Sequence, residues 1–112
     1  MISREMNAIE IEVLNLIINK GSFEKPITAN DLRGETGLSK RMLEQVIESL
    51  RVNFRHPIVA KKFKPNGYYL PRNEEERQAG LAPYKRQILT EQRTLSVVMA
   101  VDLEKYWKLE HD

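Results

Sequence analysis

The side chains best suited to molecular recognition lie close together in the first two-thirds of the chain. Ser39, Lys40 and Arg41 are consecutive, and Gln45 follows one helical turn later. A guanidinium pairs bidentately with guanine, a primary amide pairs with adenine, and a hydroxyl or an ammonium reaches a base or a phosphate. Lys61, Lys62 and Lys64, with Asn66 just beyond, form a second group suited to a sugar–phosphate backbone or a minor groove. Arg51, Arg55 and His56 form a third. Arg51 and Arg55 have a second reading, as bridges to Glu48 or to acids of the tail. Each of these charges also has the plain reading of a solvated face. Glu44 and Glu48 count against simple backbone binding, because each repels phosphate. A glutamate in a groove can accept from cytosine, and it equally suits a protein partner.

Catalytic patterns are lacking. The chain has two histidines, His56 and His111, and neither belongs to a metal-ligand spacing. It has no Gly-x-Ser-x-Gly and no phosphate-cradling glycine loop. Glu74, Glu75 and Glu76 are adjacent, so on a helix they point in different directions and mark a helix start rather than an acid/base pair. With no cysteine there are no disulfides, zinc–thiolate sites or thiol nucleophiles. The expectation is a protein without enzymatic activity, cofactor or metal.

Charge is unevenly placed. The net charge is +2, yet residues 33–72 hold nine basic residues against three acidic ones, a local +6, and each flank carries −2. A concentrated basic footprint favours a polyanion through counterion release. At 41% hydrophobic and 30% charged residues over 112 positions, the composition is that of an ordinary globular chain. The apolar run 97–101 is far too short to span a bilayer. The first residues do not pattern as a signal peptide, so the expected location is cytoplasmic, with no membrane partner.

These groups must be positioned by helices and one hairpin. Residues 5–20 predict a first helix on Met6, Ile9, Val13, Leu16 and Ile17, with Leu14 and Ile18 widening the stripe and Glu10, Glu12 and Asn15 off it. Gly21 closes it. Ile27 suits a very short strand. Thr28 is the expected cap of a second helix reaching Glu35, with Asp31 in the place of the capping-box glutamate. Thr36-Gly37-Leu38 is a tight turn, and Ser39 caps a third helix running to Val52 or Phe54. Leu43, Val46, Ile47 and Leu50 form its inner face. Pro57 bars further helix. Ile58–Phe63 and Gly67–Leu70 then read as two strands about a Lys64-Pro65-Asn66-Gly67 turn. Of the adjacent Tyr68 and Tyr69, one is expected in the core and one outside.

The pattern Leu32, Thr36-Gly37-Leu38-Ser39, Leu43, Val46, Ile47, Leu50, then Ile58–Lys62 and Gly67-Tyr68-Tyr69-Leu70, resembles the winged helix-turn-helix superfamily. It departs at Arg33, where tight helix-turn-helix units carry a small residue. The chain as a whole resembles small proteins of bacteriophages and other mobile elements. The resemblance implies a mainly α fold with a small β-hairpin, a winged helix-turn-helix plus a long C-terminal helix. It also implies double-stranded DNA as partner, in transcription regulation or replication. The alternative is a winged helix that docks on a replication or transcription protein.

Residues 1–72 are expected to form that domain and residues 73–112 a helical extension. Asn73 is a strong cap for a short helix to Ala79 ending at Gly80, and Pro83 opens a last helix reaching Leu109. Tyr84, Ile88, Leu95, Val98, Met99, Leu103, Tyr106 and Leu109 share its broad apolar face, interrupted by the polar stretch 90–94. Such a helix is about 40 Å long, against a body about 30 Å across. Part of it is therefore expected to overhang, with Ile88, Leu95, Met99, Tyr106 and Trp107 pairing two copies as a homodimer. The competing expectation is a bend near Glu91 that folds the helix back.

Overall fold

The computed structural model describes residues 4–111; the side chains of 109–111, and with them Leu109 of the expected stripe, lie outside the described residues. The chain is mainly helical with one antiparallel two-stranded hairpin. It divides into two units, residues 1–81 and 82–112.

In the first unit, α1 spans Ala8–Lys20. It starts three residues later than the apolar spacing predicts because a capping box sets the start. The Asn7 side chain accepts from the Glu10 backbone N–H, and the Glu10 carboxylate accepts from the Asn7 N–H, both at 2.8 Å. Glu10 also corrects the sequence reading in a second way. It is not on the solvent side but is the one buried charged residue among those described, 2% exposed. Arg4 grips it with both guanidinium nitrogens at 2.7 and 2.9 Å, and Ser49 donates to it. Ile18, expected to widen the stripe, is instead half exposed.

The next two helices are α2, Ala29–Thr36, and α3, Lys40–Val52. Thr28 Oγ1 accepts from the Asp31 N–H, and Ser39 Oγ accepts from the Met42 N–H. Both caps fall where hydroxyl residues precede the periodic stretches. Between the helices Gly37 takes φ 74°, the left-handed region that L side chains avoid. Arg33, the departure from the expected pattern, has a local use: its Nε donates to the Leu38 carbonyl at 3.2 Å and closes the turn. The core is Val13, Leu14 and Ile17 of α1, Leu32 of α2, Leu43, Ile47 and Leu50 of α3, and Ile27, Leu38 and Ile58 from the connectors.

The hairpin pairs β1, Val59–Lys61, with β2, Gly67–Tyr69, in the register Val59↔Tyr69, Ala60↔Tyr68, Lys61↔Gly67. On the other edge of β2, Ile27 makes an isolated antiparallel bridge to Tyr68, with N···O distances of 3.0 and 2.8 Å. The hairpin is thereby fastened to the segment leading into α2. Tyr69 is fully buried. Its hydroxyl donates to the Glu76 carbonyl at 2.8 Å, and its ring meets Phe23 edge-on. Tyr68 is half-buried against the core rather than exposed.

After the hairpin, Asn73 Oδ1 caps the next helix by accepting from the Glu76 N–H. α4 then runs unbroken over Glu74–Ala100. This overturns the expected stop at Gly80 and restart at Pro83. Gly80 is not an exit but a contact. A Cβ there would fall on the Tyr69 hydroxyl and 2.7 Å from Val59 Cγ1. That packing holds the first two turns of α4 in the first unit. Pro83 sits inside the helix, where its missing N–H leaves the Ala79 carbonyl without its usual i+4 donor.

In the second unit, α4 continues through Glu91 without the expected bend. It breaks instead at Val101–Asp102, where α5, Leu103–His111, begins. Two local effects coincide at that point. Val97, Val98 and Val101 are β-branched and weak helix formers. Asp102 accepts from the Lys105 N–H, so it acts as a fresh N-cap. Among the described residues, no helix is long and apolar enough to cross a membrane.

Candidate functional site

The amino-terminal half of α3 is built to be presented. Leu43, Ile47 and Leu50 anchor one face in the core, which turns Arg41 and Gln45, one turn apart, to the opposite face. Ser39, Lys40, Arg41 and Gln45 are all exposed. The Ser39 oxygen accepts the capping bond but keeps its proton to donate elsewhere. Lys40, Arg41 and Gln45 make no side-chain hydrogen bond or ion pair among the described residues. The cap, the glycine turn and the Arg33–Leu38 bond together fix the direction in which this helix end points.

The five-residue loop of the hairpin, residues 62–66, carries Lys62, Lys64 and Asn66, all exposed. Its tip also carries Phe63, 62% exposed. The expectation that Ile58–Phe63 forms one strand hid this residue, because a strand position would have given it a packing partner. β1 ends at Lys61, and the sequence signal was the position of Phe63 between two lysines just before Pro65. Met42, 52% exposed beside Arg41, was likewise missed. It lies off the inner stripe of α3, which was the available signal.

Two residues expected in the basic site make hydrogen bonds within the protein. The Lys61 ammonium donates to the Phe23 carbonyl at 2.8 Å and sits 4.1 Å from the centre of the Phe23 ring. It ties the hairpin to the connector after α1. Arg51 donates from Nε to the Ile58 carbonyl at 2.9 Å, linking the end of α3 to the start of the hairpin. Neither of its expected acidic bridges is the contact made. Arg55 is exposed at φ 61°, the turn that ends α3, and the neighbouring His56 N–H bonds back to the Leu50 carbonyl. Glu44 and Glu48 are exposed on α3 as well.

Behind the presented face, the Glu10 cluster clamps α3 to α1. Arg4 chiefly, then the Ser49 hydroxyl and the Asn7 N–H, hold the Glu10 carboxyl down at about 2 despite the opposing effect of burial. Glu10 in turn raises the Arg4 guanidinium. Arg4 also lies over the Phe54 ring, 5.2 Å from its centre. Since every oxygen of this carboxylate is hydrogen-bonded within the protein, the cluster reads as a structural anchor.

The residues expected for pairing, Ile88, Leu95, Met99, Tyr106 and Trp107, are all exposed on the second unit. Tyr106 and Trp107 meet edge-on at 5.5 Å. Among the described residues no group of three or more histidine, aspartate or glutamate side chains converges as a metal cage would require. No family model, curated protein or solved structure matches the chain.

Proposed function

We propose that this chain is a non-enzymatic, double-stranded DNA-binding protein of the winged helix-turn-helix type. It would act as a transcription regulator or a replication-origin binder. In this reading α3 enters the major groove with Arg41 and Gln45 toward base edges and Ser39 and Lys40 toward base or phosphate. The hairpin serves as the wing, with Lys62, Lys64 and Asn66 on the flanking backbone, and Arg55 adds a contact beyond the end of α3. Arg51 and Lys61 hold the frame. The observation that carries the reading is the free, exposed Lys40–Arg41–Gln45 surface on the helix whose other face is locked in the core.

The test is fluorescence anisotropy on a random duplex across a salt series. About four phosphate contacts give a slope of log K against log salt on the order of −3 to −4. Absence of binding at low salt would refute the DNA reading. It would favour the second reading, a winged helix docking on a replication or transcription protein, which the exposed Glu44 and Glu48 on the same helix suit.

A further inference from the structure

The acids of the presented helix have no use in the reading above. Glu44 and Glu48 are exposed on α3, where a carboxylate repels every phosphate of a duplex. Neither is neutralised from within. Lys40 and Arg41 precede Glu44, and Arg51 follows Glu48, at the spacings where charges on a helix pair. Yet neither carboxylate makes an ion pair or a side-chain hydrogen bond among the described residues. Arg51 donates instead to the Ile58 carbonyl.

Position on the helix separates the two acids. Leu43, Ile47 and Leu50 are buried, which fixes the direction away from the core. At about 100° per residue, Arg41, Gln45, Glu48 and Val52 fall within about 60° of one another on that outward side, and Glu44 lies at its edge toward Lys40. All four are exposed, Val52 to 61%. Arg41 and Glu48 are about 10 Å apart along the helix axis, which matches the rise of about three base pairs. A helix laid in the major groove by Arg41 and Gln45 therefore carries the Glu48 carboxylate against base edges of the same short run.

A carboxylate there can only accept. In the major groove cytosine offers its N4 amino donor. Guanine presents two acceptors, thymine an acceptor and a methyl group, and adenine an acceptor beside its amino group. The carboxylate matches cytosine and is repelled by guanine and thymine. We infer that Glu48 sets the sequence specificity of this helix: it selects cytosine at one position, about three base pairs from the guanine read by Arg41, and weakens binding to other duplexes. The inference rests on the proposed function and narrows its ligand from any duplex to one with cytosine at that position. Affinity lost on every other sequence is regained only where the cytosine amino group meets the carboxylate.

Selection by the full chain from randomised duplexes, followed by anisotropy on the selected duplex and on a random one, tests it. The parent should enrich cytosine at one position. Replacing that cytosine by guanine should weaken the parent about tenfold or more. Glu48→Gln should keep the parent's thermal transition and move the preference at that position to adenine, the base an amide pairs with. It should also bind random duplex about threefold to tenfold more tightly at low salt, because one repelling charge is gone. Glu44→Gln, at the edge of the face, should show a rise on random duplex while the enriched cytosine stays. A parent that binds duplex but enriches no cytosine overturns the inference and leaves the DNA reading standing. So does a Glu48→Gln variant that enriches the parent's sequence, or a cytosine that moves only in Glu44→Gln. A parent that binds no duplex at low salt overturns both.

Discussion

The Ser49 hydroxyl of α3 donates a 2.6 Å hydrogen bond to the buried Glu10 carboxylate of α1, and Arg4 grips the same carboxylate from the segment before α1. One ionised group thus joins three stretches of chain behind the surface proposed to face DNA. Its carboxyl is held at about 2, against an ordinary 4.5. A depressed value in the folded state means that the unfolded chain binds the proton first. The contribution, about 3 kcal/mol, is therefore complete above pH 4.5 and fades as pH falls toward 2. Glu10→Gln should lower stability to urea by about 2–3 kcal/mol at pH 7, with the gap between variant and parent closing by pH 2. A gap that stays constant over that range would show that the carboxylate is not what stabilises the joint.

Gly80 and Tyr69 make a second checkable pair. Alanine in mid-helix gains about 1 kcal/mol over glycine when the site is open. Here the added methyl meets the Tyr69 hydroxyl and Val59, and overpacking of this kind costs about 1–3 kcal/mol. Gly80→Ala should therefore destabilise the chain. Tyr69→Phe alone removes the bond to the Glu76 carbonyl and should cost about 1 kcal/mol. In the Tyr69→Phe background, Gly80→Ala should be markedly less harmful, because the atom nearest the new methyl is gone. Additive costs in the double variant, measured by thermal unfolding, would refute this account of the contact.

Much of the helical frame was legible, and the reasons are local. Thr28, Ser39 and Asn73 cap helices because a hydroxyl or amide before a periodic stretch satisfies free N–H groups wherever the chain lies. Gly37 and the Leu43–Leu50 stripe follow from equally short-range rules. What was not legible depends on residues distant in sequence. Glu10 reads as solvent-facing until Ser49, thirty-nine positions on, comes against it. Gly80 reads as a helix terminator until Tyr69 takes the space a side chain would fill. Lys61 reads as a backbone contact to nucleic acid, and Arg51 as such a contact or a bridge to an acid; the bonds they make to the Phe23 and Ile58 carbonyls are not in the spacing. Of the candidate site, the exposed end of α3 was readable from spacing alone, whereas telling the exposed cations from those bonded to backbone carbonyls required the fold.

That separation yields a paired test on α3. Arg41 is free and exposed, while Arg51 is bonded to the hairpin. Arg41→Ala should leave the urea midpoint within about 0.5 kcal/mol of the parent. On the proposed function it should also weaken binding to a preferred duplex by about 1–3 kcal/mol. Arg51→Ala should do the reverse, lowering stability by about 1 kcal/mol through the lost bond to the Ile58 carbonyl while leaving the salt slope of binding unchanged. If Arg51→Ala flattens the slope and Arg41→Ala does not, the roles are exchanged.

The hairpin loop permits a similar division between adjacent residues. Lys64 and Phe63 are both exposed, so neither Lys64→Ala nor Phe63→Ala should shift the unfolding transition appreciably. Lys64 carries charge. Its loss should weaken binding alike on every sequence and reduce the salt slope by about 1. Phe63 carries none, so Phe63→Ala can act only through contact, by wedging against sugar or base in the groove as apolar side chains at minor grooves do. The expected outcome is weaker binding at every salt concentration with the slope intact. Should Phe63→Ala bind like the parent while Lys64→Ala shows its slope change, the loop touches DNA by charge alone and the aromatic ring at its tip has no part in the interface.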